Sequence, residues 1–318
     1  MKIVCLEANC LGTDVDLTCL EQFGEVVVYG SSTQEVTPER VKEAEVIVVN
    51  KVPMNETTLS EAKNLKVICV TATGTNIIDT EYVNARGITV MNVKGYSTDA
   101  VVQHTFALLF YVYEKLSYYD NFVKSGEYAK YDIFSHFDKK FFELRGKTWG
   151  IIGLGEIGRG VAKIAEAFGC NIIYYSTSGK NNNQSYTQVT LDELLAQSDI
   201  VSIHAPLNEQ TTDLIRAEEL SKMKTTAVLM NLGRGSIVNE ADLAEALEND
   251  TIAAAALDVL SKEPMAADNP LLRIKDSTKL IITPHIAWAA VETRKRVVDE
   301  VCLNMKAFLS GIERNIVK

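Results

Sequence analysis

Short apolar runs alternate with helical patterns over residues 1–95. The run Val46–Val49 is apolar at every position, which is typical of a parallel strand covered on both faces of its sheet. We predict strands at Lys2–Leu6, Val26–Tyr29, Val46–Val49, Lys66–Val70 and Ile88–Asn92, and helices at Asp14–Phe23, after a cap at Thr37, at Thr57–Lys63 and at Asp79–Arg86. Five strand–helix units in this order predict a small doubly wound α/β domain.

Residues 96–145 interrupt this alternation. From Tyr96 to Tyr119 the apolar positions cover more than one helical face, which predicts a single long, buried helix that connects two domains. From Asp120 to Arg145 the pattern is irregular and rich in aromatic residues, and such a surface needs a cover. We expect a dimerisation arm, with packing of this segment on its own domain as the alternative.

A second alternation starts at Lys147. Its strands are predicted at Gly150–Ile152, Asn171–Tyr175, Ile200–His204, Ala227–Asn231, Ala253–Asp258 and Leu280–Thr283, with helices that include Leu191–Gln197 and Glu240–Glu248. The first strand ends in a Gly-x-Gly-x-x-Gly turn, whose N–H groups and following helix N-terminus can face a pyrophosphate. Gly153 permits the tight turn, Gly155 the close approach of the phosphate, and Gly158 the packing of helix on strand.

A last helix is predicted at Ala287–Leu309, and it is too long to be another crossover. We expect it to return to the first domain. The predicted fold is therefore α/β, with two doubly wound parallel-sheet domains. Residues 98–286 form a Rossmann dinucleotide-binding domain with the arm near 120–145, inserted into a flavodoxin-like substrate domain made of residues 1–97 and 287–318.

Composition restricts the classes of function. A formal net charge of −10, with no cluster of Lys and Arg, argues against nucleic acid as the main partner. The N-terminus does not resemble a signal peptide, and no run approaches the roughly 18 apolar residues of a membrane span, so we expect a cytoplasmic protein. Six cysteines without a Cys-x-x-Cys pair predict buried free thiols and no metal site.

Three strands of the second series end in reactive side chains, and the carboxyl ends of parallel strands share one edge of a sheet. Arg234 offers a planar fork for a carboxylate. His285 can give or take a proton, and Glu263 can bind its other ring nitrogen and fix the tautomer. Beside a nicotinamide, this set suits hydride exchange at the carbon next to a carboxylate, with His285 protonating the oxygen during reduction.

Two further segments are predicted to contact substrate. Backbone N–H groups of Ala72, Thr73 and Gly74, after the fourth strand, could form an anion-binding nest that faces Arg234. A simple turn is the alternative. Trp288, close to the histidine in the chain, is a candidate wall of the substrate pocket.

Seven segments together resemble the D-isomer-specific 2-hydroxyacid dehydrogenase family over essentially the whole chain. They are Thr71-Ala-Thr-Gly-Thr-Asn, Gln103-His-Thr-Phe-Ala-Leu, Gly150-Ile-Ile-Gly-Leu-Gly-Glu-Ile-Gly, Ile203-His-Ala-Pro-Leu, Asn231-Leu-Gly-Arg-Gly, Leu257-Asp-Val-Leu-Ser-Lys-Glu-Pro and Thr283-Pro-His-Ile-Ala. Within the family, Pro284-His-Ile-Ala-Trp and Tyr96-Ser-Thr resemble the glycerate dehydrogenase, or hydroxypyruvate reductase, branch.

The resemblance implies a homodimer that interconverts a small 2-oxoacid, foremost hydroxypyruvate or glyoxylate, and its D-2-hydroxy acid. It implies Arg234 as carboxylate clamp, Glu263 as the partner of the histidine, and His285 as acid and base. The residues expected at the cofactor are Gly153, Gly155, Glu156, Ile157, Gly158, Ser176, Thr177, His204, Ala205, Pro206, Thr211, Leu232, Gly233 and Asp258. A D-lactate-type or other 2-oxoacid reductase is the near alternative, and a cofactor-sensing binding protein is the alternative from another class.

The cofactor could be NAD or NADP. The family often has an acid at the end of the second strand of the cofactor domain, where it would hold the adenosine ribose hydroxyls of NAD. Ser176 stands at that position. Without the carboxylate there is no repulsion of a 2′-phosphate, which Ser176, Thr177 and Lys180 could bind. We therefore predict a pocket that is permissive for NADP and does not exclude NAD.

Overall fold

The structure is a computed structural model that describes residues 1–180 and 185–317. The chain forms two compact units, Met1–Ser97 with Ala289–Lys318, and Thr98–Trp288. Because the first unit contains both ends of the chain, the second unit is an insertion in it. Each unit has its own parallel sheet and its own buried core.

The sheet of the first unit has five strands, and its helices include α1 and α2. The elements are β1 (Lys2–Cys5), β2 (Glu25–Val28), α1 (Thr37–Val41), β3 (Val46–Val49), β4 (Val67–Val70), α2 (Thr80–Ala85) and β5 (Thr89–Met91). The parallel order β2-β1-β3-β4-β5 is the flavodoxin-like order. The apolar strands β3 and β4 are buried at every position. All five predicted strands are confirmed.

The prediction of a helix at Asp14–Phe23 is wrong in its first half. Only Thr18–Phe23 is helical, as a 3₁₀ helix. The Asp16 carboxylate accepts hydrogen bonds from the backbone N–H and the hydroxyl of Thr18. The predicted cap at Thr37 is also wrong. Thr37 is the first residue of α1, and its hydroxyl donates to the Thr33 carbonyl.

Residues 57–63 form hydrogen-bonded turns and not the predicted helix. Thr58 donates its hydroxyl to the carbonyl of Pro53, and its N–H to the side chain of Asn55. Bonds between short polar side chains and the backbone compete with helical hydrogen bonds, and here they are formed instead.

The second unit contains a seven-stranded parallel sheet with helices between its strands. The elements are α3 (Thr98–Tyr113), α4 (Leu116–Lys124), β6 (Thr148–Ile152), α5 (Glu156–Ala167), β7 (Asn171–Tyr175), β8 (Thr187–Gln188), α6 (Leu191–Gln197), β9 (Ile200–Ile203), α7 (Ala217–Lys222), β10 (Val228–Asn231), α8 (Glu240–Glu248), β11 (Ala254–Leu257) and β12 (Leu280–Ile282). The strand order is β12-β11-β10-β9-β6-β7-β8. The six predicted strands are confirmed. The seventh, β8, has two exposed residues, so no apolar run marks it in the sequence.

The prediction of one helix from Tyr96 to Tyr119 is wrong, because the helix is interrupted between α3 and α4. Lys115 has a left-handed backbone with φ of 58°. Its Nζ donates to the carbonyl of Thr278 at 3.0 Å, a partner far away in the sequence. The helix therefore ends where a tertiary bond holds a lysine in a non-helical conformation.

Residues 125–145 are largely irregular and expose aromatic side chains. Phe134 and Phe137 are 90% and 74% exposed. The ring of His136 stacks 3.8 Å from that of Phe122, and its Nε2 lies 2.8 Å from the Tyr118 hydroxyl. The irregular segment was predicted to start at Asp120, but it starts after α4, which ends at Lys124.

The last helix, α9 (Val291–Leu309), belongs to the first unit and packs against β4. It starts at Val291 and not at the predicted Ala287, because the residue before it, Ala290, has an extended backbone with ψ of 145°. Within the first unit, the Asn304 side chain donates to the Asn92 carbonyl at 2.9 Å and ties α9 to the end of β5.

All six cysteines are free thiols. Four of them are buried, Cys10 is exposed and Cys19 is half-buried. Burial raises the pKa of the Cys69 thiol to about 12, so this thiol stays protonated. In the described part of the chain, no helix is long and apolar enough to cross a bilayer, and no group of three or more His, Cys, Asp or Glu side chains could hold a metal ion.

Candidate active site

The three glycines of the turn after β6 differ in their steric surroundings. Gly153 has φ of 92°, and a Cβ there would lie 2.9 Å from the Ala205 nitrogen. A Cβ on Gly158 would overlap the Gly153 carbonyl oxygen, so the helix packs on the turn without space for a side chain. Gly155 caps α5, and a Cβ there would meet nothing within 4 Å. Protein atoms therefore pack against the turn at Gly153 and Gly158, whereas the space beside Gly155 is open.

The open side of the turn carries backbone N–H groups that have no acceptor among the described residues. The first helical bond of α5 runs from the Arg159 N–H to the Gly155 carbonyl, so the amides before Arg159 have no partner within the helix. Ile157 packs partly on the core, whereas the side chain of Glu156 is exposed. The predicted contact at Glu156 would thus come from its backbone. A helix N-terminus of this kind fits a pyrophosphate.

Ser176 follows β7 directly and is only 8% exposed. Its Oγ is buried and has no hydrogen-bond partner among the described residues. Buried hydroxyls are nearly always paired, so this one fits a ligand group such as a ribose hydroxyl or a phosphate oxygen. Thr177 lies half-buried beside it. The glycine turn and Ser176 both fit a dinucleotide.

His204, at the end of β9, is a neutral imidazole whose Nε2 contacts a serine hydroxyl. Trp149 donates its indole N–H to the Ser202 hydroxyl at 2.8 Å, and Ser202 lies 3.1 Å from Nε2 of His204. Burial lowers the pKa of His204 to about 3. Its Nδ1 has no partner among the described residues.

The segment after His204 is held by its own side chains. The buried Thr211 hydroxyl donates to the Pro206 carbonyl at 2.7 Å and accepts the Asn208 N–H at 2.8 Å. The Thr211 side chain therefore stabilises this loop through bonds to its backbone. Its predicted contact with the cofactor stays a prediction. Ala205 is buried, and a Cβ on Gly233 would lie 2.8 Å from its carbonyl oxygen. The ends of β9 and β10 thus meet through backbone atoms, and Leu232 is buried next to this contact.

Arg234 extends from the loop after β10 with its guanidinium available. Asn231 fixes this loop, because its Oδ1 accepts the Gly233 N–H at 3.0 Å and its Nδ2 donates to the Arg234 carbonyl at 2.9 Å. One guanidinium nitrogen donates to the Gly233 carbonyl at 2.8 Å. Arg234 is half-buried and has no carboxylate partner among residues 1–180 and 185–317. An unpaired, partly buried guanidinium is suited to bind an anion.

Glu263 and His285 form a pair at the ends of β11 and β12. Nδ1 of His285 lies 2.6 Å from Oε2 of Glu263. The other carboxylate oxygen of Glu263 accepts the Leu260 N–H at 2.9 Å, which orients the side chain. Because a carboxylate takes the Nδ1 hydrogen, Nε2 is the imidazole atom left for a reacting group. The side chains are 30% and 31% exposed, so the pair is reached from solvent.

Asp258 was predicted at the cofactor, but its carboxylate is bonded within the chain. It is 2% exposed. It accepts the Thr283 hydroxyl at 2.6 Å and the N–H groups of Ile286 and Ala287 at 2.9 Å each. Its side chain therefore supports the loop that carries His285, which has a left-handed φ of 56°.

His104, on α3, joins this network. Its Nε2 lies 3.1 Å from the Thr283 hydroxyl. In the sequence His104 is only a histidine in a largely apolar helix, and nothing in that pattern indicates that its partner is Thr283, just after β12.

The remaining predicted substrate residues lie in different surroundings. Trp288 is partly buried on the core of the second unit. In the first unit, the Thr73 hydroxyl donates to the Val93 carbonyl, and the Ala72 carbonyl accepts the Val93 N–H. The backbone N–H groups of residues 72–76 donate to no acceptor in the described ranges. This loop therefore offers a row of free donors, as a nest requires.

A parallel sheet with a glycine turn at its centre, and a histidine–carboxylate pair at neighbouring strand ends, defines a dinucleotide-dependent oxidoreductase. A family model described as "D-isomer specific 2-hydroxyacid dehydrogenase, NAD binding domain" matches residues 106–287. The chain belongs to this family. The predicted family, fold class and enzyme class are confirmed, and the cofactor is NAD or NADP.

Relatives with assigned names cover the whole chain or most of it. A hydroxypyruvate reductase of Blautia hydrogenotrophica is 38% identical over 100% of this chain and 99% of its own. A glycerate dehydrogenase of Methylorubrum extorquens is 38% identical over 90% of this chain and 89% of its own. The similarity to this branch, predicted from the motifs around Trp288 and Tyr96, is confirmed.

Two solved structures share the fold over nearly the full length. A D-lactate dehydrogenase of Aquifex aeolicus, complexed with NAD and lactic acid, has a TM-score of 0.86, 28% identity, and coverage of 100% of this chain and 99% of its own. An NADPH-dependent glyoxylate/hydroxypyruvate reductase of Sinorhizobium meliloti, in complex with NADP and malonate, has a TM-score of 0.83, 27% identity, and coverage of 99% and 96%.

Proposed function

We propose that this protein reduces a small 2-oxoacid, foremost hydroxypyruvate or glyoxylate, to its D-2-hydroxy acid. The observation that carries the proposal is the 2.6 Å pair of His285 and Glu263, with the unpaired Arg234 on the neighbouring strand end. The names of the Blautia, Methylorubrum and Sinorhizobium proteins support the choice of substrate.

The chain's own groups account for binding and proton transfer. Arg234 binds the substrate carboxylate through its planar fork and lies beside the oxygen that becomes an alkoxide. Nε2 of His285 gives a proton to that oxygen, and Glu263 balances the positive charge of the imidazolium before the transfer. A bound reduced nicotinamide supplies the hydride. One proton and one hydride convert the keto group to the hydroxyl.

The first unit has its own row of candidate anion donors. The free N–H groups of Ala72, Thr73 and Gly74 would bind carboxylate oxygens. Trp288 would limit the size of the substrate side chain, which favours the two- and three-carbon oxoacids. We assign residues 1–97 and 287–318 to substrate binding, and residues 98–286 to the dinucleotide.

We infer that the adenosine end of the site accepts NADP. The buried, unpartnered Oγ of Ser176 replaces a carboxylate that would repel a 2′-phosphate. The exposed Lys180 lies in the same turn and adds positive charge. A ratio of kcat/KM that favours NADPH, or that is near unity, supports this inference. A strong preference for NADH would assign the Ser176 hydroxyl to the ribose instead.

We propose a cytoplasmic homodimer in which the aromatic arm contacts a second copy of the chain, without a nucleic acid or membrane partner. The exposed rings of Phe134 and Phe137 support this assignment, because a contiguous apolar surface of this kind is rarely left in water. Sedimentation of the wild type against Phe134→Ser/Phe137→Ser tests it. A monomeric wild type would overturn it.

The deciding experiment is a panel of 2-oxoacids assayed with NADH and with NADPH. Hydroxypyruvate and glyoxylate should have the highest kcat/KM, and the product should be the D isomer. Pyruvate is in the panel because the Aquifex structure is that of a D-lactate dehydrogenase. Highest kcat/KM with pyruvate would favour a D-lactate-type reductase, and no turnover of any member would favour a cofactor-sensing role.

A further inference from the structure

We propose that His104 is a positioning residue that holds the loop of His285 in its reactive conformation, through the Thr283 hydroxyl and the Asp258 carboxylate. The proposal rests on the proposed function, because it concerns the proton donor of that reaction. His104 lies on α3 and is separated from both partners by most of the second unit's sequence.

The hydrogen-bond directions in this chain follow from the number of hydrogens available. Thr283 has one hydroxyl hydrogen, and its shortest bond is the 2.6 Å contact with Oδ1 of Asp258. The Leu257 carbonyl, which can only accept, lies farther away at 3.5 Å. With its hydrogen directed at Asp258, the hydroxyl accepts at its contact with Nε2 of His104, at 3.1 Å. Nε2 of His104 must then carry a hydrogen.

His104 is also the basic side chain that lies closest to the buried carboxylate. Its Nε2 is 3.7 Å from Oδ1 of Asp258, and no other Lys, Arg or His lies within ion-pair distance of that carboxylate in the described part of the chain. Burying a carboxylate is costly unless the charge is paired and hydrogen-bonded. Losing His104 would leave Asp258 with the Thr283 hydroxyl and two backbone N–H groups, and would remove the side chain that bonds to the Thr283 oxygen.

The carboxylate determines the backbone on both sides of the reactive histidine. Thr283, before His285, donates to it, and Ile286 and Ala287, after His285, donate to it through their N–H groups. The Asp258 carbonyl also accepts the His285 N–H at 2.8 Å. A φ of 56° is uncommon for a residue with a side chain, so these bonds are needed to maintain it.

The test compares five variants with the wild type by kcat, KM and the dissociation constant of the reduced cofactor. His104→Leu and Thr283→Val remove the bond, while His104→Gln and Thr283→Ser keep a donor and a hydroxyl. We expect kcat to fall about tenfold or more in the first two, with a cofactor dissociation constant within about twofold of the wild type. The conservative pair should retain kcat within about threefold, and the double variant His104→Leu/Thr283→Val should be no slower than the slower single variant.

Unchanged kcat in His104→Leu, or losses that multiply in the double variant, would overturn the proposal. A wild type inactive on every 2-oxoacid would instead refute the proposed function. For that case a readout without turnover decides the point. Two-bond ¹H–¹⁵N spectra of histidine-labelled protein, assigned with His104→Gln, should show the hydrogen on Nε2 of His104, and a tautomer with Nδ1–H alone would contradict the network.

Discussion

The backbone of Gly235 lies directly against the backbone of Leu260, and no Cβ fits between them. Gly235 follows Arg234, and the Leu260 N–H is the donor that orients Glu263. This backbone contact, which only glycine allows, fixes the loop that carries Arg234 relative to the loop that carries Glu263.

Gly235→Ala should misplace both side chains. Because the added methyl overlaps the Leu260 carbonyl group, one of the two loops must move, and a shift near 1 Å in a catalytic group can lower turnover about 100-fold. Steady-state kinetics with the preferred oxoacid measure the effect. Ser236→Ala, at the next position, is the control, and equal kinetics of the two variants would contradict this role of the contact.

Substitution by alanine should affect different properties at two glycines of the turn. Gly158→Ala should lower the free energy of unfolding of the apo protein by about 1–3 kcal/mol, because its Cβ would overlap the Gly153 carbonyl, and this outweighs a helix-propensity gain of about 1 kcal/mol. Gly155→Ala should leave apo stability unchanged and weaken cofactor binding, since its Cβ enters open space. Urea unfolding and cofactor titration separate the two, and equal effects on both quantities would contradict the assignment.

His285→Ala should lower kcat by about 10²- to 10⁴-fold, because the proton donor is lost. The dissociation constant of the cofactor should stay within a few-fold of that of the wild type. Glu263→Gln keeps an acceptor for Nδ1 but removes the charge, so it should give an intermediate loss. Turnover by His285→Ala at the wild-type rate would exclude this histidine from the mechanism.

Arg234→Lys should raise KM for the oxoacid and lower kcat/KM, because a point charge replaces a bidentate fork. The wild type should strongly prefer a 2-oxoacid over its methyl ester, and the variant should show a smaller preference. Arg216→Lys is a matched control on an exposed arginine that pairs with Asp213. If the wild type used acid and ester equally, Arg234 would not be a carboxylate clamp.

The acid stability of the protein should depend on His204. Burial lowers its pKa from 6.5 to about 3, so below pH 6.5 unfolding lets the imidazole bind a proton. Its contribution to stability is complete above pH 6.5 and is lost as pH falls toward 3, with a slope of at most about 1.4 kcal/mol per pH unit. His204→Gln, which keeps a polar side chain that can bond to Ser202 but does not titrate, should unfold with a shallower acid dependence in urea. An identical slope would mean that His204 does not titrate in this range.

Several features could be predicted because they depend on neighbours in the chain. The apolar runs of β3 and β4 indicate strands that are buried on both faces, and the spacing of Gly153, Gly155 and Gly158 indicates a turn that both strand and helix require. Arg234 and His285 could be recognised as candidates, since each follows a strand of one parallel sheet and such ends share an edge.

The errors lie where a distant group competes with local preference. No local pattern marks Lys115 as a helix break, because its partner is the carbonyl of Thr278. The position of Asp258 after a strand likewise does not indicate that its carboxylate accepts the N–H groups of Ile286 and Ala287. In each case the decisive bond joins residues that only the folded chain brings together.

The sequence by itself determined eleven of the twelve described strands, the glycine turn and the candidates for the reactive side chains, because periodicity, glycine spacing and side-chain chemistry are local properties. Only the tertiary structure decided that Glu263 is bonded to His285, that His104 reaches Asp258 through Thr283, and that the buried Ser176 hydroxyl has no partner among the described residues. The physical reason is that hydrogen bonds and burial depend on distances in space, which the spacing of residues along the chain does not specify.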